Sequence, residues 1–258
     1  MSAVGDATDR CIAVLGAGSW GTALAIQLAR NGNAVQLWAR DADAVAALAA
    51  DRENKRYLPG CALPASLTPE ADMGTAVAAA DDVLVVVPSH ALRETLERLA
   101  PLLGEHRRVI WATKGLEPES AKLPDQVAAE TLGADRVTAV LSGPSFAGEV
   151  GQGMPTAVTI ASGDEAFARD MAGAFHDGVF RVYTTRDVIG VGETEMSVRL
   201  KKKPKKKSDM SFEEKVEART KDFGAAPKPK SAPKPKPKLA EEPPPPPTPA
   251  EQPPEIFQ

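Results

Sequence analysis

Cysteine and histidine are scarce in this sequence, with two and three copies among 258 residues. Cys11 and Cys61 lie fifty positions apart, without the spacing of a redox or metal motif, which favours reduced thiols. The histidines are also isolated from acidic clusters, so we expect no metal site. No apolar run approaches the roughly 20 residues that cross a bilayer, and no secretory signal is visible at the N-terminus. We therefore expect a cytoplasmic protein without a membrane span.

Lysine is scarce as well, but only in the first part of the chain. Residues 1–192 contain 3 lysines and 9 prolines, whereas residues 193–258 contain 13 lysines and 14 prolines. The first part has 16 basic and 24 acidic side chains, and the second has 15 and 11. A segment this rich in Lys, Pro and Glu buries too little apolar surface to offset its ordering entropy. We predict a flexible N-terminus over 1–10, one folded domain over 11–191 and a low-complexity, disordered tail over 192–258.

The main motif is a glycine-spaced turn that follows the first apolar run, Ile12–Leu15. Gly16 permits a tight reversal, Gly18 leaves room for a pyrophosphate, and Gly21 permits close packing of helix and strand. The helix that follows offers backbone N–H groups to an anion at its positive end, those of Ser19, Trp20 and Gly21. The turn predicts dinucleotide binding, and a tight turn with a structural role is the alternative.

The residue about 20 positions after the glycines indicates which dinucleotide is preferred. An acidic residue there binds the ribose 2′-hydroxyl of NAD, whereas an arginine accommodates the 2′-phosphate of NADP. Arg40 occupies this place and favours NADP(H), or use of both NADP(H) and NAD(H). Its alternative is an ordinary surface arginine. Asp41 precedes an alanine-rich helix and is better interpreted as its N-cap.

Predicted strands and helices alternate throughout the first part of the chain. We expect strands over 12–15, 34–38, 82–89, 109–112, 137–141, 156–160 and 179–183. After the helix that follows Gly21, we expect helices over 43–51, 73–80, 91–103, 122–132 and 165–175, and a loop over 56–60. This alternation predicts an α/β fold, a Rossmann-type, doubly wound and mainly parallel sheet.

Ligands bind to such a sheet outside the carboxyl ends of its strands. Five segments follow predicted strands and should converge at that edge: Gly16–Gly21, Arg40, Ser89, Lys114 and Gly143–Ala147. His90 is either a group on the cofactor side or a structural or surface histidine. Trp38 and Trp111 are expected in the core.

Several stretches together resemble the bacterial NAD(P)-dependent glycerol-3-phosphate dehydrogenases. They are residues 16–24, 54–59, 113–117, 142–147 and 187–191, and the resemblance runs from about residue 11 to 191. It implies an oxidoreductase that reduces dihydroxyacetone phosphate to sn-glycerol 3-phosphate, a precursor in phospholipid biosynthesis. It also implies a phosphorylated triose as substrate and allows a homo-oligomer.

The resemblance assigns roles to residues by their position. It implies NADPH contacts for Ser19, Trp20, Arg40 and Ala147. Lys114 would lie near both nicotinamide and substrate, with Gly143 and Ser145 on the substrate side. A cation at Lys114 could stabilise the negative charge that a ketone oxygen gains during hydride transfer. A solvated surface lysine is the alternative.

The sequence departs from the family after Val191. The resemblance implies a helical domain there, with a catalytic lysine in a Gly-Gly-Ala-x-Lys-Asn stretch, but Arg199 stands where that lysine is expected. Arginine does not lose a proton near neutrality, so it cannot replace an acid–base lysine. The catalytic residue is thus unknown, and Lys114 is the nearest candidate, with Lys201–Lys203 nearby in sequence. We expect NADP(H) binding with impaired turnover.

Two other interpretations stay open. In one, the chain is a non-catalytic NADP(H)-binding protein whose basic tail contacts a partner or an anionic surface through the cluster Lys201–Lys207. In the other, the junction near Gly192 is a fusion or gene-model artefact and the native protein is the full enzyme. The tail's partner is unknown in either case.

Overall fold

A computed structural model of the protein describes residues 10–191. The predictions for residues 1–9 and for the tail over 192–258 lie outside the described residues, so the predicted domain boundary stays a prediction. The described strands are β1 (Cys11–Leu15), β2 (Ala34–Trp38), β3 (Glu53–Asn54), β4 (Leu58–Ala62), β5 (Leu67–Glu70), β6 (Asp82–Val85), β7 (Arg108–Trp111), β8 (Thr138–Ser142), β9 (Thr156–Ser162) and β10 (Phe180–Thr185). The described helices are α1 (Ser19–Arg30), α2 (Ala42–Asp51), α3 (Met73–Ala78), α4 (Ser89–Leu99), α5 (Pro124–Leu132), α6 (Ala147–Gly151) and α7 (Glu165–Phe175).

Eight of these strands form one sheet in the order β10-β9-β8-β7-β6-β1-β2-β5. All neighbours are parallel except β8 and β9, which are antiparallel. Helices cover both faces, which is why β6 is buried along its whole length. The predicted Rossmann-type, mainly parallel sheet is confirmed.

The core consists of two layers, one on each face of the sheet. Side chains alternate between faces along a strand, so Ile12 and Val14 pack with α1 and α7 on one side. Ala13 and Leu15 pack with α3 and α4 on the other. Both interior tryptophans are buried as predicted, Trp38 at 3% and Trp111 at 2% exposure.

The loop predicted over 56–60 is correct for Arg56 and Tyr57, which lie in a turn, and wrong from Leu58 onward, because Leu58–Ala62 forms β4 and pairs antiparallel with β3. Pro59 and Gly60 are typical of turns, but this short two-stranded sheet tolerates them through an irregular register. β5 was not predicted, since Pro69 weakens its strand pattern. As an edge strand bonded only to β2, it loses little by lacking that backbone donor.

The helix predicted over 91–103 begins earlier and ends earlier than expected, because β6 stops at Val85 and α4 already starts at Ser89. Pro101 lacks a backbone N–H, so the α-helical ladder cannot continue through it. Residues Ala100–Leu102 form a 3₁₀ turn instead. Smaller shifts of one or two residues occur at the ends of several other elements.

Candidate functional site

Two glycines of the turn after β1 are required by the packing of the protein itself. Gly16 adopts φ +122°, and a Cβ atom there would lie 2.3 Å from the carbonyl oxygen of Val86. A Cβ on Gly21 would lie 1.8 Å from the carbonyl oxygen of Gly16. Neither position can accept a side chain without moving backbone, so these glycines explain how the turn forms but not what it binds.

Gly18 is different, because no neighbour among residues 10–191 requires a glycine there. Its backbone is ordinary, with φ −73° and ψ −177°, and a Cβ would have no neighbouring heavy atom within 4 Å. The residue is exposed and faces a cleft. The missing side chain therefore leaves open space at the edge of the cleft.

The N-terminus of α1 follows directly and carries unsatisfied donors. Gly18 is the N-cap and has no side chain to cap the helix, and the first turn contains no acidic residue. Within residues 10–191, the N–H groups of Ser19 and Trp20 donate to no protein acceptor. Unpaired N–H groups and the positive end of the helix dipole together favour an anion in front of Gly18.

The cleft has a volume of about 670 Å³, within the range of small-molecule sites. It is formed by the glycine turn, the end of β2, one side of α2, the β3–β4 connection, the segment that follows β6 and one side of α4. Of the predicted site residues, it is lined by Gly16, Gly18 and Arg40. Asp41 and His90 also line it, so His90 lies on this side of the molecule.

Arg40 is an exposed cation at the rim of the cleft. In the part of the chain that the structure describes, no carboxylate lies within ion-pair distance of it. The neighbouring Asp41 caps α2 as predicted, because its Oδ1 accepts hydrogen bonds from the N–H groups of Asp43 at 3.0 Å and Ala44 at 3.2 Å. That carboxylate is thus engaged with the helix, while the guanidinium beside it stays available to an anion.

A second group of predicted residues meets beside the turn. The ammonium Nζ of Lys114 donates to the carbonyl oxygen of Gly143 at 3.3 Å and lies 5.6 Å from the centroid of the Trp20 ring. Ser145 donates instead to the carbonyl of Ala157 at 3.2 Å. The structure thus brings Trp20, Lys114 and Gly143 together, and these residues do not line the 670 Å³ cleft.

The remaining predicted residues of this segment have clear packing roles. A Cβ on Gly143 would lie 2.9 Å from the carbonyl oxygen of Ala157, so β8 and β9 require a glycine there. Ala147 begins α6 and packs, partly buried, against the core. Neither observation tests the ligand contacts that the resemblance implies for them.

An ion-pair network holds the loop that carries Lys114. Arg93 of α4 donates from Nε and Nη2 to the two carboxylate oxygens of Glu117, at 2.8 and 3.0 Å. The same guanidinium reaches Glu130 of α5 at 2.8 Å. Donation from Arg93, and then from Ser120, lowers the pKa of Glu117 from 4.5 to about 2. The network therefore stays charged across the physiological range and joins α4, the loop and α5.

Sequence reasoning missed the role of Asn54, which is 4% exposed. Its side-chain amide donates to the carbonyl oxygen of Ala17 at 2.9 Å and to the hydroxyl of Thr22 at 2.8 Å. The available signal was its place at the start of the stretch 54–59, one of those that resemble the family. Its partners could not be derived, since they lie more than thirty positions away.

Two features are absent from residues 10–191, a cluster of metal ligands and a membrane-spanning helix. No group of three or more His, Cys, Asp or Glu side chains there is arranged to hold a metal ion. None of the helices in that range has the length and apolar character needed to span a membrane.

Comparison with known sequences decides the family. The sequence model of the family described as NAD-dependent glycerol-3-phosphate dehydrogenase N-terminus matches residues 11–168. The chain belongs to this family. The glycerol-3-phosphate dehydrogenase [NAD(P)+] of Idiomarina loihiensis is 53% identical over 181 residues, which are 70% of this chain and 54% of that protein. The enzyme of the same name from Alkalilimnicola ehrlichii is 51% identical over 183 residues, 71% of this chain and 55% of the relative.

Solved structures agree with this assignment. The glycerol-3-phosphate dehydrogenase of Coxiella burnetii superposes with a TM-score of 0.69 at 43% identity, covering 72% of this chain and 57% of that one. A glycerol-3-phosphate dehydrogenase of Saccharomyces cerevisiae has a TM-score of 0.63 at 26% identity, covering 71% and 58%. The resemblance predicted from the motifs is confirmed, and the chain spans about half the length of the curated relatives it matches.

Proposed function

We propose that the described domain binds NADPH, and also NADH, in the cleft beside the glycine turn. The observation that carries this proposal is the open space at Gly18 in front of the unpaired N–H groups of α1. A pyrophosphate fits that place, because it needs close approach to backbone and several N–H donors. Arg40 is then close to the adenosine ribose, where its unpaired guanidinium can bind a 2′-phosphate.

The nicotinamide end of the cofactor lies, in this proposal, toward Trp20 and Lys114. When bound, NADPH would supply a hydride to a carbonyl carbon, whose oxygen would gain negative charge. The ammonium of Lys114, which donates a hydrogen bond to the carbonyl oxygen of Gly143, would stabilise that charge. We assign Gly143 and Ser145 to the substrate side and Ala147 to the cofactor side on the strength of the resemblance.

The substrate in this proposal is dihydroxyacetone phosphate, reduced to sn-glycerol 3-phosphate for phospholipid synthesis. The support is family membership together with relatives that are named glycerol-3-phosphate dehydrogenase [NAD(P)+]. Turnover by this 258-residue chain is expected to be weak, since Arg199 stands where the resemblance places a lysine. Arg199 lies outside the described residues.

The first experiment is a fluorescence titration of the purified chain with NADPH, followed by addition of dihydroxyacetone phosphate. The matched variant is Gly18→Ser. A serine N-cap accepts from the helix N–H groups itself, so stability should stay equal or rise by a few tenths of a kcal/mol. Its side chain occupies the pyrophosphate space, and we expect the dissociation constant to rise at least about tenfold.

Each result of this experiment has a distinct meaning. If the wild type binds NADPH and Gly18→Ser does not, the result supports the cofactor site. Oxidation of NADPH that depends on dihydroxyacetone phosphate supports the reaction. Binding without oxidation supports a non-catalytic NADP(H)-binding protein and directs attention to the basic tail. Equal affinity of the wild type and Gly18→Ser contradicts the proposed pyrophosphate position.

A further inference from the structure

The side-chain amide of Asn54 uses both of its hydrogens and its oxygen within the protein. Its two donated bonds end on the Ala17 carbonyl and the Thr22 hydroxyl. Its oxygen accepts from the backbone N–H of Tyr57 at 3.1 Å. An amide with this many partners has one orientation, so its hydrogen bonds fix the position of the β3–β4 segment relative to the glycine turn. We call this set of three hydrogen bonds the Asn54 bracket.

The two bonds to Ala17 and Thr22 enclose the part of the turn that faces the cleft. Ala17 immediately precedes Gly18, and Thr22 lies in the first turn of α1, where its backbone N–H bonds to the Gly18 carbonyl at 2.9 Å. Gly18 itself has no side chain to restrain its peptide groups, and glycine has the largest backbone freedom of any residue. The hydrogen bonds from Asn54 to Ala17 and Thr22 provide a restraint that the turn itself lacks.

The hairpin that carries Asn54 is itself held in place. Leu58 and Cys61 of β4 are buried against Gly151 of α6, where a Cβ atom would lie 2.7 Å from the Cys61 sulfur. Glu53 also accepts a hydrogen bond from the N–H of Gly60 at 2.8 Å. Asn54 therefore anchors the glycine turn to a well-packed two-stranded segment and not to a loose loop.

We propose that Asn54 is a positioning residue that holds the glycine turn in the geometry that receives a dinucleotide pyrophosphate. It acts through Ala17 and Thr22, and its own amide has no hydrogen left for a ligand. The inference rests on the proposed NADPH site. It adds a residue outside the glycine motif on which the affinity of that site depends.

The test compares two buried asparagines at opposite ends of α1. Asn54→Leu removes the bracket while keeping a side chain of similar shape. Asn33→Leu is the matched control, because Asn33 is 1% exposed and donates to the carbonyls of Leu28 and Ala174 at 2.8 and 2.9 Å. Both full-length variants should lose stability in urea unfolding. Only Asn54→Leu should raise the dissociation constant for NADPH, by about tenfold.

A second ligand distinguishes positioning from general distortion. Adenosine 2′-monophosphate carries the phosphate proposed for Arg40 but has no pyrophosphate, so its affinity should be the same in the wild type and Asn54→Leu. Thr22→Val removes one of the two bonds and keeps the side-chain volume, and we expect about threefold weaker NADPH binding. Thr22→Ser keeps the hydroxyl and should restore the wild-type affinity. These two variants test the inference even if Asn54→Leu does not fold.

Three outcomes would overturn the inference. The first is unchanged NADPH affinity in folded Asn54→Leu, or in Thr22→Val, while the wild type binds NADPH. The second is an equal loss of affinity for NADPH and adenosine 2′-monophosphate, which would indicate distortion of the whole cleft. A wild type that binds no NADPH at all would remove the proposed function and this inference together.

Discussion

Two sites at opposite ends of the mainly parallel sheet are built in opposite ways. At the amino end, Asp82 of β6 is fully buried, and its carboxylate pairs with Arg10 and Arg108, each at 2.7 Å. Arg108 also reaches Asp170 at 2.8 Å and lies 4.5 Å from the centroid of the Phe167 ring. At the carboxyl end, the described chain leaves Arg40 exposed without an ion pair and the first N–H groups of α1 without acceptors.

This difference shows how the domain separates stability from binding. Charges at the amino end are matched within the chain, and donation to Asp82 raises the pKa of Arg108 further above its ordinary value. A buried charge that is paired within the chain stabilises the fold, and it has little free charge or hydrogen-bonding capacity for a ligand. Unmatched donors at the carboxyl end contribute less to folding, but they are the groups that an anionic cofactor can engage. Three predictions test this separation, from the largest expected effect to the smallest.

Removing the buried carboxylate should lower the free energy of unfolding and leave the NADPH affinity unchanged. Among residues 10–191, Asp82→Asn leaves Arg10 without a carboxylate partner and Arg108 with Asp170 alone, and we expect a loss of about 3 kcal/mol in the free energy of unfolding. Both arginines are partly exposed, at 18% and 26%, which limits the cost. Asp170→Asn is the control, because that carboxylate is 51% exposed and should cost only about 0.5 kcal/mol. Urea unfolding measures both, and a changed NADPH affinity in folded Asp82→Asn would contradict the separation.

Neutralising the unpaired arginine should have the opposite result. Arg40→Gln removes a charge-assisted contact to a 2′-phosphate, so the dissociation constant for NADPH should rise about tenfold. The constant for NADH, which has no 2′-phosphate, should change by less than about twofold, and stability should stay constant. Arg169→Gln replaces a solvated arginine of α7 and should leave both affinities unchanged. Equal losses for the two nucleotides would show that Arg40 does not read the 2′-phosphate.

The smallest effect concerns the network behind Lys114 and its dependence on pH. Because the pKa of Glu117 is lowered to about 2 in the folded protein, its charge stabilises the fold fully above the unfolded value of about 4.5. That contribution disappears as the pH falls from 4.5 toward 2. The wild type should therefore be slightly more stable than Glu117→Gln at pH 7, and the difference should shrink below pH 4.5 and be largely lost at about pH 2.

Thermal unfolding between pH 7 and about pH 2 measures this difference. Glu97→Gln is the control, since Glu97 is exposed on the same helix as Arg93 and has no ion pair in the described range. A stability difference for Glu117→Gln that persists unchanged to low pH would mean that charge is not its cause.

Local patterns in the sequence predicted most of the sheet. The apolar run of β6 can be recognised within one segment, because a strand covered by helices on both faces is apolar along its length. The glycine spacing after β1 can be recognised in the same way, because the tight turn sets steric limits on its residues. The pairing of β3 with β4 and the edge position of β5 were missed. Both segments contain proline or glycine, and only their neighbours in space make these residues acceptable in a strand.

The sequence by itself determined the fold class, the glycine turn, the helix cap at Asp41 and the family of the chain. These four conclusions depend on residues that lie close together along the chain, or on short sequence motifs that are recognisable without the structure. Only the tertiary structure decided that Gly18 is open while Gly16 and Gly21 are packed, and that Lys114 lies beside Trp20. It also decided that Asn54 brackets the turn. The physical reason is that each of these relations joins segments that are distant in sequence, and their distances arise only when the sheet brings those segments together.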